Sequence, residues 1–384
     1  MGFDFATAGR ILFGAGRIRE VAPAAKSMGT RALLVTGAAQ ERTASLAVDL
    51  AAAGIDSSFF PVDREPTVDL VRRGCAVARE AKCDVVIAAG GGSAIDAGKA
   101  IAALLANPGD PLDYLEVIGA GKSLAAPSVP FIAVPTTAGT GSEVTRNAVL
   151  ASPEHGVKAS LRSPWMLPRL AVVDPELTFG LPPAVTAATG LDALTQLIEP
   201  YVSVRANPMT DMFCVEGMGR AARSLVRAFR DGRDVEARTD MCIASLLGGL
   251  SLANAGLGIV HGFAAVIGGA FPAPHGAVCA ALLAQGMETN VRALRARAPE
   301  SEALRRYERI ARILTGNPEA AVEDGIEWVR RTCRELEIPP LGAYGIGSEH
   351  VPALVEAAAR ASSTKGNPLP LTADEMRDLV VAAL

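Results

Sequence analysis

The sequence predicts an α/β N-terminal half built as a doubly wound parallel sheet, joined to an all-α C-terminal half. Two observations carry this expectation. Up to about residue 180, short β-rich runs alternate with helical segments, the order that builds a parallel sheet through crossover helices. Beyond GLPP (Gly180 to Pro183) no strand pattern recurs, and Ala, Leu, Arg and Glu fall at helical spacing. The expected domains are therefore 1–180 and 181–384.

Taken in order, ALLVTG (Ala32 to Gly37) reads as a buried parallel strand, because it is apolar without alternation. An Ala-rich helical stretch follows through Ala53, with Gly54 placed to cap it. SSFFPV (Ser57 to Val62) is the next strand, and PTVDLVRRGCAVAREAKC the next helix, with Pro66 near its first turn. DVVIAAGGGSAIDAGKAIAALLA (Asp84 to Ala106) is strand, glycine turn and helix in immediate succession. FIAVPTTAGTGSE (Phe131 to Glu143) is a strand running into a Thr and Gly loop. NAVLAS and VKASL form an expected hairpin, and LAVVDPEL (Leu170 to Leu177) the last strand of this half. The helical half reads through AARSLVRAFRDG, ARTDMCIASLLGGLSLANAG and ESEALRRYERIARILTG, and ASSTKGNPLPLT (Ala361 to Thr372) is a loop before a final short helix.

Composition narrows the function classes. Hydrophobic content of 49% against 20% charged residues describes a packed globular protein, not a disordered one. A net charge of -4 offers no basic face for nucleic acid. Apolar runs end well short of the roughly 20 residues a membrane span needs, and the N-terminus lacks the cationic flank and long apolar core of a secretory signal. Cys75, Cys83, Cys214, Cys242, Cys279 and Cys333 show no CxxC or regular framework, so they are expected as reduced, core-filling thiols of a cytoplasmic protein.

Three stretches carry candidate chemistry. In GGGSAIDAGK (Gly90 to Lys99), a glycine turn joins a strand to a helix, a setting in which backbone N–H groups and the helix N-terminus receive a phosphate. Gly91, Gly92 and Ser93 line that turn, with Asp96 and Lys99 on the first helical turns. In PTTAGTGSE (Pro135 to Glu143), Thr136, Thr137, Thr140 and Ser142 can donate to phosphate or ribose. Two such loops ending strands of one sheet suit a dinucleotide across a switch point, although neither is GxGxxG. The third stretch runs from Gly190 to Cys279. Asp192 and Gln196 lie four residues apart on one helix face, and His261 and His275 fall in an apolar, Gly-rich segment. Four polar groups in such surroundings are costly to bury without a common partner, and a divalent cation is the simplest one. His275 is expected in a Pro-flanked PAPHG loop. The other two His residues, His155 and His350, read as hairpin-turn and surface residues.

GGGSAIDAGK, PTTAGTGSEVT, GLDALTQLIEPY and HGFAAVIGGAFPAPHG, in this order, resemble the iron-containing (group III) alcohol dehydrogenases over essentially the whole chain. The resemblance implies a dehydroquinate synthase-like architecture with an NAD(P)-binding N-terminal domain and a helical metal-binding C-terminal domain. It implies hydride transfer between a nicotinamide and a small alcohol or aldehyde, with Fe2+ or Zn2+, in a homodimer or higher homo-oligomer. Asp192, His261 and His275 match three ligands and are the expected catalytic set, while position 196, usually His, is Gln. An amide oxygen is a harder and weaker donor than imidazole. Members reading HGxAH carry a second His where this chain has Ala265, so a proton relay there is missing. Cofactor residues match Gly91, Gly92, Ser93, Thr136, Thr137 and Lys158. NAD-preferring members place an Asp where Gly37 stands, so NADP is expected to be used at least as well as NAD. Two rival readings remain: a dinucleotide-binding protein with a decayed metal site, and a dehydroquinate synthase-type lyase. The lyase would need Lys and Arg around the metal, and residues 245–285 contain neither.

Overall fold

The structure, a computed structural model, describes residues 2–384. It divides into two compact units: residues 6–137 with 141–179, and residues 2–5 with 138–140 and 180–384.

The first unit contains β1 (Ile11–Phe13), α1 (Val21–Lys26), β2 (Arg31–Thr36), α2 (Ala44–Ala52), β3 (Asp56–Pro61), α3 (Val68–Glu80), β4 (Val85–Gly90), α4 (Gly92–Ala106), the single turn α5 (Pro111–Tyr114), β5 (Phe131–Pro135), the hairpin β6 (Asn147–Ser152) and β7 (Val157–Arg162), and β8 (Leu170–Val173). Six strands form one parallel sheet in the order β1-β8-β5-β4-β2-β3. Alternate residues of each central strand serve opposite faces, as the pleat requires. Ala32, Leu34, Val85 and Ile87 pack with Val21 and Ala25 of α1 and Leu46 and Leu50 of α2. Leu33, Val35, Val86 and Ala88 pack with Val71 and Cys75 of α3 and Ile95 and Ile101 of α4. Helices cover both faces, which is why the strands read as unbroken apolar runs.

Winding reverses between two neighbours, since β2 leads outward to β3 whereas β4 leads the other way to β5 and β8. Gly54 has φ +73°, the left-handed geometry expected just past α2. Thr67, which follows Pro66, caps α3, its hydroxyl accepting from the Leu70 amide at 3.1 Å. β1 was not expected from the sequence. It is three half-buried residues paired to β8, too short to show a pattern.

The second unit is helical: α6 (Pro183–Val202), α7 (Pro208–Arg230), α8 (Val235–Ala255), α9 (Ile259–Ala270), α10 (His275–Arg297), α11 (Glu302–Thr315), α12 (Val322–Glu335), α13 (Val351–Arg360) and α14 (Ala373–Val381). No single helix among the described residues is long and apolar enough to cross a membrane. α6 is buried on nearly all sides, and from Gly190 to Val202 each residue is enclosed. A polar residue on that stretch must therefore find its partners inside the protein.

Candidate active site

The helical unit gathers the ionisable residues singled out on α6, α9 and α10. α6 presents Asp192, Gln196 and Glu199 at i, i+4 and i+7, one face of the helix. His261 lies in the first turn of α9. That turn can form because the preceding Gly258 has no side chain: a Cβ there would stand 2.8 Å from Glu199 Oε1 and 3.0 Å from Asn367 Oδ1. These two oxygens instead accept from the first amides of α9, Glu199 Oε1 from Val260 N–H at 2.7 Å and Asn367 Oδ1 from Ile259 N–H at 3.2 Å.

His275 departs from expectation in one respect, since it is the first residue of α10 and not part of a loop. Cys279 therefore lies one turn along on the same face. His261 Nε2 is 3.3 Å and His275 Nε2 3.8 Å from Asp192 Oδ1, and Cys279 Sγ is 3.7 Å from His275 Nε2. One donor atom from each of Asp192, His261, His275 and Cys279 fits within 4.8 Å of all the others. Glu199 Oε2 accepts from His261 Nδ1 at 2.7 Å, which turns Nε2 toward the cluster. Sequence reasoning missed Glu199, although its i+7 spacing from Asp192 was available. Cys279, four residues beyond His275, reads from the sequence as near the site but as a core thiol and not a ligand.

Whether a cation fits is decided by what these atoms lack. Asp192 Oδ1, Gln196 Oε1 and His261 Nε2 are all buried without a hydrogen-bond partner. A tetrahedral ion with bonds of about 2.1 Å holds its oxygen and nitrogen ligands about 3.4 Å apart, close to the Asp192 and His261 separation. The electrostatics agree. Burial pushes the Asp192 carboxyl up, but the neighbouring His261 and His275 imidazoles outweigh it and hold it below the usual range. Burial pulls His261 down, yet Cys279, Asp192 and Glu199 drive it well above an ordinary imidazole. The cluster thus calls for positive charge, and the donor set suits a divalent ion. Its His275 side is 32% exposed, so the cluster is not sealed from solvent.

In the α/β unit, Gly37, Gly91 and Thr136 stand at or just beyond the C-terminal ends of β2, β4 and β5. Gly37 N–H donates to Ala89 O at 3.1 Å and Thr136 N–H to Gly90 O at 2.9 Å. A Cβ on Gly90 would meet Ala94 Cβ at 2.7 Å and Gly37 N at 2.8 Å, so only glycine closes this junction. Gly91 caps α4 without a side chain, Gly92 and Ser93 begin the helix, and Thr137 lies against Gly91. Asp96, expected at cofactor, is engaged internally: it accepts from the Ser142 hydroxyl and from Val149 N–H at 2.9 Å. Lys99 is buried and donates to Ser142 O, Thr145 Oγ1 and Asn147 O. Lys158 on β7 pairs with Glu65 at 3.1 Å. Thr140 belongs with the helical unit. His155 bonds Ser152 Oγ at 2.7 Å in the β6–β7 turn, and half-exposed His350 precedes α13, as expected.

A Gly-bordered parallel sheet and a buried carboxylate and imidazole cluster are the parts of a nucleotide-dependent metal oxidoreductase. Residues 8–175 match the family described as Iron-containing alcohol dehydrogenase, and residues 186–384 the family described as Fe-containing alcohol dehydrogenase family, C-terminal. Alcohol dehydrogenase 4 of Saccharomyces cerevisiae (strain YJM789) is 35% identical over 377 residues, covering 97% of this chain and 96% of the relative. The 1,3-propanediol dehydrogenase of Klebsiella pneumoniae is 36% identical over 379 residues, 95% of each chain. A crystal structure of 1,3-propanediol oxidoreductase superposes with a TM-score of 0.93 at 33% identity, over 100% of both chains. The chain belongs to the iron-containing alcohol dehydrogenase family, and it is an oxidoreductase of alcohols and aldehydes that uses a nicotinamide cofactor and a divalent metal.

Proposed function

We propose that the chain interconverts a small, weakly polar alcohol and its aldehyde, with residues 1–180 binding NAD(P)(H) and residues 181–384 holding the cation. The observation that carries the metal assignment is the convergence of three buried, unpartnered atoms, Asp192 Oδ1, Gln196 Oε1 and His261 Nε2. Together with His275, these residues are the proposed ligands. Gly37, Gly91, Gly92, Ser93, Thr136, Thr137 and Thr140 are proposed to face the cofactor. Asp96 and Lys158, taken up by contacts within the protein, would act there through the hairpin they hold.

When bound, the cation supplies Lewis acidity at the substrate oxygen and the nicotinamide supplies or accepts hydride. The chain supplies placement. Glu199 fixes the His261 ring so that its second nitrogen faces the centre, and Asp192 contributes a fixed negative charge there. Ala265, one turn beyond His261 on α9, cannot take a proton, so the alcohol proton must leave through water or another group. The Ala, Gly, Leu and Phe surroundings, and relatives named for alcohols and 1,3-propanediol, support a small substrate. A cytoplasmic homodimer or higher homo-oligomer completes the reading.

The test is elemental analysis before and after Fe(II) or Zn(II) reconstitution, with oxidation of NADPH and of NADH followed against short aldehydes. About one metal per chain and metal-dependent turnover are expected, by the Lewis-acid role assigned to the ion. NADPH should serve at least as well as NADH, because Gly37 places no carboxylate against a 2'-phosphate. Nucleotide binding without metal or turnover would establish the decayed-site alternative.

A further inference from the structure

We infer that Cys279 is a ligand of the cation, so that this centre is a mixed oxygen, nitrogen and sulfur site. The inference rests on the metal-centre reading above and specifies its donor set. His275 and Cys279 occupy successive turns of one face of α10, and the sulfur is fully buried, 0% exposed. The Cys279 Sγ to His275 Nε2 distance is 3.7 Å. A tetrahedral ion bound by nitrogen at about 2.05 Å and sulfur at about 2.3 Å holds the two about 3.6 Å apart. A thiol–imidazole hydrogen bond alone would also account for that contact. The sulfur also lies within 4.8 Å of the Asp192 and His261 donors, so a cation that satisfies their buried, unpartnered atoms is within its reach as well.

The chemistry of the other donors points the same way. Gln196 brings a neutral amide oxygen where an imidazole would be a better ligand for a borderline-soft ion. A thiolate would restore that softness, with Asp192, His261, His275 and Cys279 the four donors of a tetrahedral ion and the Gln196 amide the weak fifth that yields to substrate. As the sulfur–metal bond forms, the thiol proton passes to solvent, and the thiolate with the Asp192 carboxylate then balances the two positive charges of the ion. Such a set favours zinc or cobalt over the harder divalent ions.

The experiment is stripping of the purified protein with chelator and reloading with Co(II), comparing wild type, Cys279→Ala and Cys279→Ser by near-ultraviolet absorption and by chelator competition. Serine keeps the shape of the site if the alanine variant fails to fold. Expected are one cobalt per chain, a sulfur-to-cobalt charge-transfer band in wild type that both variants lose, and a loss of affinity beyond the roughly 10–100-fold of an outer-shell substitution. Bound cobalt with no sulfur band in wild type, or a band that survives in both variants, overturns the inference and leaves the metal centre standing. Failure of wild type to bind cobalt overturns the metal centre itself, and this assignment with it.

Discussion

Single residues divide into those whose chemistry is legible in their type and those legible only from where a helix begins. Asp192, His261 and His275 belong to the first group, being rare polar residues in apolar surroundings. Cys279 belongs to the second. Its relation to His275 depends on α10 starting at His275, and a Pro-flanked PAPH segment reads as loop until Pro274 is seen to cap the helix. Glu143 is a different case, a carboxyl enclosed to 2% exposure, which burial pushes up to about 7 while its own amide and Lys99 pull the other way. Between an unfolded value near 4.5 and about 7 the folded chain holds a proton that the unfolded chain has lost. Stability is therefore greatest below the lower value and falls as pH rises to the upper one, at about 1.4 kcal/mol per pH unit or about 3 kcal/mol in all. Denaturant titrations at pH 4 and pH 8 should show wild type losing that much more than Glu143→Gln, and parallel losses in the two proteins would refute the assignment.

At the level of elements, the distance between the helices that carry Asp192 and His275 is set by a glycine contact. Gly276 follows His275, and a Cβ on it would stand 2.4 Å from Ala188 O and 3.3 Å from Asp192 Cβ, so α10 meets α6 backbone to side. Gly276→Ala should cost about 1–3 kcal/mol through overpacking and weaken metal binding by moving His275 from Asp192. Metal affinity and thermal unfolding measured on the same samples check both effects, and unchanged affinity would show that the start of α10 does not fix the ligand spacing. Such contacts were not legible in the sequence, where Gly276 is one of 38 glycines. The sheet was more legible. Its central strands are buried on both faces and announce themselves as apolar runs, whereas β1 depends on a partner about 160 residues away, β8.

Across the whole molecule, the order of elements and the two loop motifs sufficed to read the architecture. The supporting contacts of the site join segments too distant for any local pattern to reveal. The start of α9 is held by Glu199 on α6 and by Asn367, which also exchanges hydrogen bonds with Asn290 on α10 at 2.7 and 3.1 Å. Asn367 follows Ile259 by 108 residues. At a synthesis rate of about 5–20 residues per second, a chain emerging from the ribosome carries His261 for about 5–20 s before the residue that secures its helix has been made. The cluster thus has a birth order, with its proposed ligands present early and their distant clamp late. Chains stalled just short of Asn367 are expected to take up less cobalt than chains stalled well beyond it. Equal uptake by the two would show that the cluster assembles without its distant clamp.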